Sequence, residues 1–151
     1  MSTIRRATEH DARAIHALIR RARINPMALD WHRFLVAVDE TGRINGCGQV
    51  KPHADGTREL ASLAVVPERQ RQGIGRSIIK QLLTENQLPL YLTCRASLQT
   101  YYEKFGFRVV PASEMPPYFH RIWTIFNAIG RLFKFKEALL VMVKNPFCKS
   151  I

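Results

Sequence analysis

Acidic residues are scarce in this chain: 12 Asp and Glu stand against 23 Lys and Arg over 151 residues, which leaves a net charge of +11. That imbalance favours an anionic partner, whether nucleic acid, a membrane surface or a polyphosphate cofactor, and charge alone does not choose among them. Cysteine is scarcer still. Cys47, Cys94 and Cys148 lie far apart with no Cys-x-x-Cys or histidine partner spacing, so neither a disulfide framework nor a zinc site is expected, and reduced thiols in the cytoplasm are the simple reading. His10, His16, His32, His53 and His120 show no ligand spacing either, so no metal is expected. Long apolar runs are missing: the longest, such as Ala138 to Val143, fall far short of the roughly 20 residues that span a bilayer. The amino-terminal residues from Met1 to Asp11 lack the apolar core of an export signal, which predicts a cytoplasmic protein with no membrane span. What remains is 46% hydrophobic and 23% charged, ordinary for one soluble domain covering residues 1–151.

The most informative stretch runs from Leu63 to Leu83. An apolar run from Leu60 to Val66 is closed by Pro67, which cannot donate to a central ladder, so a buried strand should end there. After a charged turn come Gly73-Ile74-Gly75, and Ile74, Ile78, Ile79, Leu82 and Leu83 then recur at helical spacing. Strand, glycine turn and helix follow one another. Glycines let an anion approach the main chain, and the first turn of a helix offers unpaired N–H groups with partial positive charge, so the turn is a candidate pyrophosphate cradle. A dinucleotide fingerprint would need a small residue where Ile78 stands, and a P-loop would need Gly-Lys-Ser/Thr where the chain has Gly75-Arg76-Ser77.

The stretch Gln70 to Gly75 resembles instead the Gln/Arg-x-x-Gly-x-Gly/Ala cofactor motif of the GCN5-related N-acetyltransferases (GNAT superfamily), following a Leu-Ala-Val strand end and a proline. Downstream, Tyr101-Tyr102-Glu103-Lys104-Phe105-Gly106-Phe107 is similar to the second signature of the same family. The departures are Arg95, where the family commonly has asparagine, and an unusually long link from Pro111 to Glu137.

The element order agrees with the resemblance. It predicts a strand at Thr3–Ala7, a helix over about residues 9–22 begun at Thr8 to Asp11, and strands at Phe34–Val38 and Ile44–Lys51. Gly46 and Gly48 should weaken that second strand or mark a bulge. Leu90 to Cys94 reads as a buried strand, Leu98 to Phe105 as a short helix capped by Gly106, Phe107 to Val110 as a strand, and Ala138 to Lys144 as the closing strand. The implied fold is α/β: a mixed central sheet of about six to seven strands, splayed in the middle and flanked by helices. An extra amphipathic helix falls between the last two strands. In that helix Ile122, Ile125, Phe126, Ile129, Leu132 and Phe133 share a face, with Arg121, Arg131, Lys134 and Lys136 around it. Packing over a sheet edge, a homodimer contact, a lid over the acceptor and a membrane-surface helix are all open readings.

The resemblance also implies a chemistry. Acetyl-CoA would be the co-substrate, held by the main chain of Leu63, Ala64 and Val65 and, at its pyrophosphate, by Arg71, Gln72, Gly73, Ile74, Gly75 and Arg76; the Val65 amide would face the developing oxyanion. Acyl transfer to an amine also needs a base and a proton donor for the departing thiolate. Glu59, four residues before Leu63 and sharing a strand face with Ala61 and Leu63, is the implied base. Tyr102 is the implied acid, with Tyr101 as the alternative; a Cys94 nucleophile lacks a positioned partner. The acceptor expected is a small-molecule primary amine. The rival reading is a catalytically silent acyl-CoA-binding or basic binding module on the same fold; an aromatic-interleaved basic patch of the kind that grips nucleic acid is absent outside residues 119–136.

Overall fold

The computed structural model describes residues 1–146, so Cys148 lies outside the described residues. The described residues form two compact units, Met1–Lys51 with Leu60–Asn86, and Pro52–Glu59 with residues 87–146.

In the first unit the elements are β1 (Thr3–Arg6), α1 (Ala12–Arg21), β2 (Phe34–Val38), β3 (Ile44–Pro52), β4 (Arg58–Val65) and α2 (Ile74–Glu85). Strand order is β1-β2-β3-β4, and β1 and β3 each pair antiparallel with β2. At the entry to α1, the Asp11 carboxylate accepts from the Thr8 amide at 2.7 Å and from the Arg5 guanidinium at 2.7 and 3.1 Å. Those bonds hold its carboxyl well below the usual range, at about 2. Ile15, Leu18 and Ile19 of α1 then bury against Phe34, Val36 and Cys47.

The two glycines of β3 have a sharper role than a weakened strand. A register shift does fall between Ala37 and Val38, opposite Gly46 and Ile44. Beyond that, a Cβ built on Gly46 would stand 2.9 Å from Cγ2 of Ile74, and one on Gly48 would stand 2.9 Å from Cγ2 of Ile78 and 3.2 Å from Cδ1 of Leu82. The apolar face of α2 therefore occupies the space that side chains on β3 would take, and Ile74, Ile78, Ile79 and Leu82 are buried there.

β4 carries one unusual backbone conformation. Ser62 adopts φ +56°, a left-handed conformation unusual for an L residue; its hydroxyl accepts from Gln49 Nε2 at 2.8 Å, and its carbonyl accepts from Cys47 Sγ at 3.6 Å. Burial alternates from Leu60 to Val65, with Ala61 and Leu63 both half-buried, and the one break in the alternation is at Glu59 and Leu60, which are both buried.

The second unit contains the first two residues of β4, then β5 (Leu90–Arg95), α3 (Gln99–Glu103), β6 (Arg108–Val109), α4 (Pro117–Phe133) and β7 (Leu139–Lys144). Strand order is β4-β5-β7-β6. β7 pairs antiparallel with β5 and β6, and Glu59 stands opposite Tyr91 in the parallel pairing of β4 with β5. Gly106, at φ +90°, turns the chain out of α3 while its amide donates to the Glu103 carbonyl at 3.0 Å. The fold class expected from the sequence is the one found: a mixed sheet of seven strands with four helices among the described residues, α4 lying between β6 and β7 in the chain. Of α4, Phe119 is buried with Val110, Val141 and Val143, whereas Ile125, Ile129, Leu132 and Phe133 are exposed, so packing accounts for the start of this helix and not for its end.

Gly48→Ala should lower unfolding free energy by about 1–3 kcal/mol, because the added methyl overpacks the β3–α2 contact. Urea denaturation checks this, and an unchanged midpoint would contradict it.

Candidate active site

After Val65 the chain turns through a 3-10 segment, Pro67–Arg69, and Gln70 Nε2 reaches back to the Val65 carbonyl at 3.2 Å. Arg71 at φ +64° and Gly73 at φ +83° then curl the loop, a kind of backbone turn that gathers N–H groups into an anion-binding concavity. A Cβ on Gly73 would meet nothing within 4 Å, so it is the left-handed backbone, not crowding, that calls for glycine here. Gly73 is also the residue that opens α2, and no side chain caps that end. The first-turn amides of a helix have no intrahelical acceptors, so donors and partial positive charge collect at the loop. Arg71, Gln72, Gly73 and Arg76 are exposed, Gly75 is half-buried, and Ile74 anchors the turn in the core. Leu63 and Val65 are half-buried and Ala64 is buried, so the residues expected to hold the donor form one run, strand end to helix start. The loop suits a diphosphate: open main chain with two flanking guanidinium groups.

Glu59 is not the solvent-facing strand-end residue that its position would allow. It is buried, and Oε1 lies 2.8 Å from Nε2 of His53, itself nearly as buried. The turn between them is tightly bonded: the His53 amide donates to the Thr57 carbonyl at 2.9 Å, and Asp55 Oδ1 accepts from the Thr57 amide at 3.0 Å. Asp55 Oδ2 accepts from the Tyr118 amide at 3.1 Å, which ties the first turn of α4 to the same turn. The Tyr118 ring stacks on His53 at 3.5 Å between centroids, while Phe119 meets His53 edge-on at 5.6 Å and stacks on Tyr91 at 5.0 Å. Burial, with the nearby charges of Glu59 and Asp55, raises the Tyr118 phenol above its ordinary range. Sequence reasoning missed His53 and Tyr118. A signal for His53 was present in Asp55-Gly56, a turn that sets the register of the flanking residues; nothing local to Tyr118 points to it.

Tyr102 is buried on α3, edge-on to Tyr101 at 5.2 Å and to Phe107 at 6.2 Å. Burial raises its phenol well above the ordinary value, and Cys94 and Tyr101 push in the same direction, so the hydroxyl keeps its proton. Cys94 is also buried, its Sγ 3.7 Å from Sδ of Met142, and burial pushes the thiol up to about 11; it is a poor thiolate and a poor nucleophile. No hydrogen bond joins Glu59 to Tyr102 among the described residues, so the expected base and acid belong to separate clusters. Among the described residues no group of three or more His, Cys, Asp or Glu could hold a metal ion.

Residues 30–109 match the family model described as Acetyltransferase (GNAT) domain. Solved structures share the fold at low identity. N-acetylglutamate synthase from Neisseria gonorrhoeae, complexed with coenzyme A and N-acetyl-glutamate, superposes with a TM-score of 0.73 at 20% identity; the alignment covers 97% of this chain and 35% of that one, so the chain spans about a third of that enzyme's length. Rv2747 from Mycobacterium tuberculosis, in complex with CoA and NLQ, gives 0.71 at 18% identity over 96% of this chain and 99% of that one. The ribosomal-protein-S18-alanine N-acetyltransferase from Escherichia coli gives 0.65 at 19% identity over 100% and 99%. No curated protein matches the sequence.

Acetyl-CoA should raise the melting temperature of the wild-type chain, since a ligand bound only by the folded loop stabilises it by mass action. Gly73→Asp should abolish that shift by putting a carboxylate beside the diphosphate and a side chain at φ +83°. A folded Gly73→Asp variant with an undiminished shift would place the site elsewhere.

Proposed function

The chain belongs to the GNAT acetyltransferase family, acyl-CoA-dependent N-acetyltransferases whose co-substrate is acetyl-CoA, and we propose that it transfers the acetyl group to the primary amine of a small molecule. The transfer proceeds by direct attack in a ternary complex, in the cytoplasm, with residues 1–151 serving as one acetyltransferase domain. Acetyl-CoA supplies an activated thioester carbonyl and a thiolate leaving group. The chain supplies the rest. Leu63, Ala64 and Val65 hold the donor through their main chain, the Val65 amide faces the oxyanion, and Gln72, Gly73, Ile74 and Gly75, with Arg71 and Arg76 beside them, hold the diphosphate. A free alkylamine, with a pKa of about 10, is mostly protonated at neutral pH and must lose a proton before attack. Glu59 takes that proton, and Tyr102 donates to the departing thiolate.

The observation that carries this reading is the Glu59–His53 pair at 2.8 Å. A carboxylate removed from water costs free energy unless it is paired, and here the partner is an imidazole, a group that can itself carry a proton. His53 fixes the carboxylate; Tyr118 and Phe119 hold His53. A second observation bears on the acceptor. Bound donor would offset Arg71 and Arg76, yet most of the net charge of +11 lies elsewhere: Arg5, Arg6 and Arg21 are paired with Asp11, Glu85 and Glu68, but Arg20, Arg23, Arg33 and the basic residues along 120–136 remain. A polybasic tail approaching this surface is repelled over a Debye length of about 8 Å, whereas a small mono-amine loses little.

Assays of CoA release across small amines, amino acids, polyamines and peptides test the proposal. Release with at least one small amine supports it; acetyl-CoA binding without release for any acceptor would favour a silent acyl-CoA-binding module. With an active amine, Tyr102→Phe should cut turnover by about 10²-fold with acetyl-CoA binding retained, and Glu59→Gln should remove the acidic limb of the pH–rate profile. Wild-type rates and limbs in both variants would rule out these roles.

The acceptor class is tested by kcat/KM for an arylalkylamine, a polyamine and a lysine-rich peptide at two ionic strengths. The arylalkylamine should lead, by a margin that narrows as salt rises. A peptide that is faster at low salt would overturn the preference for small amines.

A further inference from the structure

Eight large apolar side chains are exposed among the described residues, and five of them fall within eleven residues at the end of α4 and just beyond it: Ile125, Ile129, Leu132, Phe133 and Phe135, each between 41 and 77% exposed. On a helix of 3.6 residues per turn, Ile125, Ile129 and Leu132 lie on one stripe, while Phe119, Phe126 and Trp123, which are buried or half-buried, lie on the neighbouring one. The helix is thus apolar over a wider arc than the packed face requires. Its end is also fixed. Lys134 closes α4 in the left-handed conformation at φ +54°, the Phe135 amide donates to the Gly130 carbonyl at 3.0 Å, and the Phe135 ring lies 5.3 Å from that of Phe126. The exposed patch therefore sits on a capped helix end.

The charges along α4 and its cap are all of one sign, the flanking acids in the chain being Glu114 before the helix and Glu137 after Lys136. Arg121, Arg131, Lys134 and Lys136 are exposed, and no Asp or Glu occurs from Met115 to Lys136. A second copy of this chain seated on the patch would bring the same four cations against one flanking acid, Glu137, whose carboxylate already accepts from the Ser97 amide at 2.9 Å, and three of the five exposed side chains are aliphatic, which bases do not stack upon. An anionic bilayer answers both features at once: acyl chains accept the apolar stripe and headgroup phosphates meet the cations, the pattern of a helix that lies in a membrane interface. At 17 residues α4 is about 25 Å long, and no helix of the described residues is long and apolar enough to cross a membrane.

We propose that the carboxyl-terminal half of α4, through Ile125, Ile129, Leu132 and Phe133 with Arg131 and Lys134, docks this protein peripherally on anionic phospholipid surfaces. Neither the lipid contact nor its test depends on the acetyl-transfer reading, because Leu132, Phe133, Arg131 and Lys134 lie outside the residues assigned to that reaction. The experiment is co-sedimentation of the full chain with vesicles of phosphatidylcholine alone and with about one-quarter phosphatidylglycerol, at low and at roughly 0.5 M salt. The anionic vesicles should retain about tenfold more protein at low salt, and high salt should remove most of that excess. The Leu132→Glu/Phe133→Glu variant should lose the binding, and Arg131→Glu/Lys134→Glu should lose the preference for anionic lipid, each with a wild-type melting curve, since these side chains are exposed. Should the first variant fail to fold, Leu132→Ser/Phe133→Ser replaces it. Absence of sedimentation with anionic vesicles at low salt would overturn the proposal, as would equal sedimentation of wild type and folded variants. Light scattering that shows a dimer abolished by the Leu132/Phe133 substitutions would overturn it too, assigning the patch to a second copy.

Discussion

A helix can lie close on a sheet only where side chains do not hold it away, and in the first unit Gly46 and Gly48 provide that clearance for α2. Ile74 and Ile78 fill the space where Cβ atoms on β3 would stand. Burial of Ile74, at the very start of α2, fixes the helix end against the sheet. The loop that precedes it is consequently held at both ends, at Val65 by the strand and at Ile74 by the core, and its curvature is set by left-handed Arg71 and Gly73. Packing at the first residue of the helix thus determines where its unpaired amides point.

The second unit handles charge by pairing. Glu59 and His53 leave water together, and the cost of removing the carboxylate is offset by the hydrogen bond between them. The aromatic rings of Tyr118 and Phe119 complete the enclosure, and the Tyr118 amide secures it through Asp55. Residues 111–137, the part of the chain least like the family pattern, therefore divide in two. The start of α4 supports Glu59, and its end carries an apolar surface with no partner among the described residues. Tyr102 follows a different principle: burial without a hydrogen bond among the described residues raises its phenol and keeps it protonated.

Much of this was legible in the sequence because it rests on local signals. Pro67 marked the end of β4, the spacing of Ile74, Ile78, Ile79 and Leu82 marked α2, Gly106 marked the exit from α3, and two motif resemblances in order pointed to the fold. Other features depend on contacts between residues far apart in the chain. The need for glycine at positions 46 and 48 arises from atoms of α2 nearly thirty residues later, so the chain itself suggested only a weak strand or a bulge. Ser62 has no sequence signature for its left-handed conformation; Gln49 and Cys47, from the neighbouring strand, make its bonds. His53 shows no metal-ligand spacing in the chain, and its partner is a carboxylate across a turn, a pairing that no ligand motif announces. Tyr118 lies more than sixty residues from His53, and no local pattern announces a ring stack at that distance.

Titration of the uniformly 15N-labelled chain with coenzyme A, followed by backbone amide chemical shifts, tests the central claim most directly. The amides of Gln72, Gly73, Ile74, Gly75 and Arg76, with those of Leu63 to Val65, should show the largest saturable changes, because unpaired donors of the loop and strand end are the groups assigned to the ligand. Unmoved amides at Gly73 and Gly75, with the saturable changes confined to other segments, would contradict it.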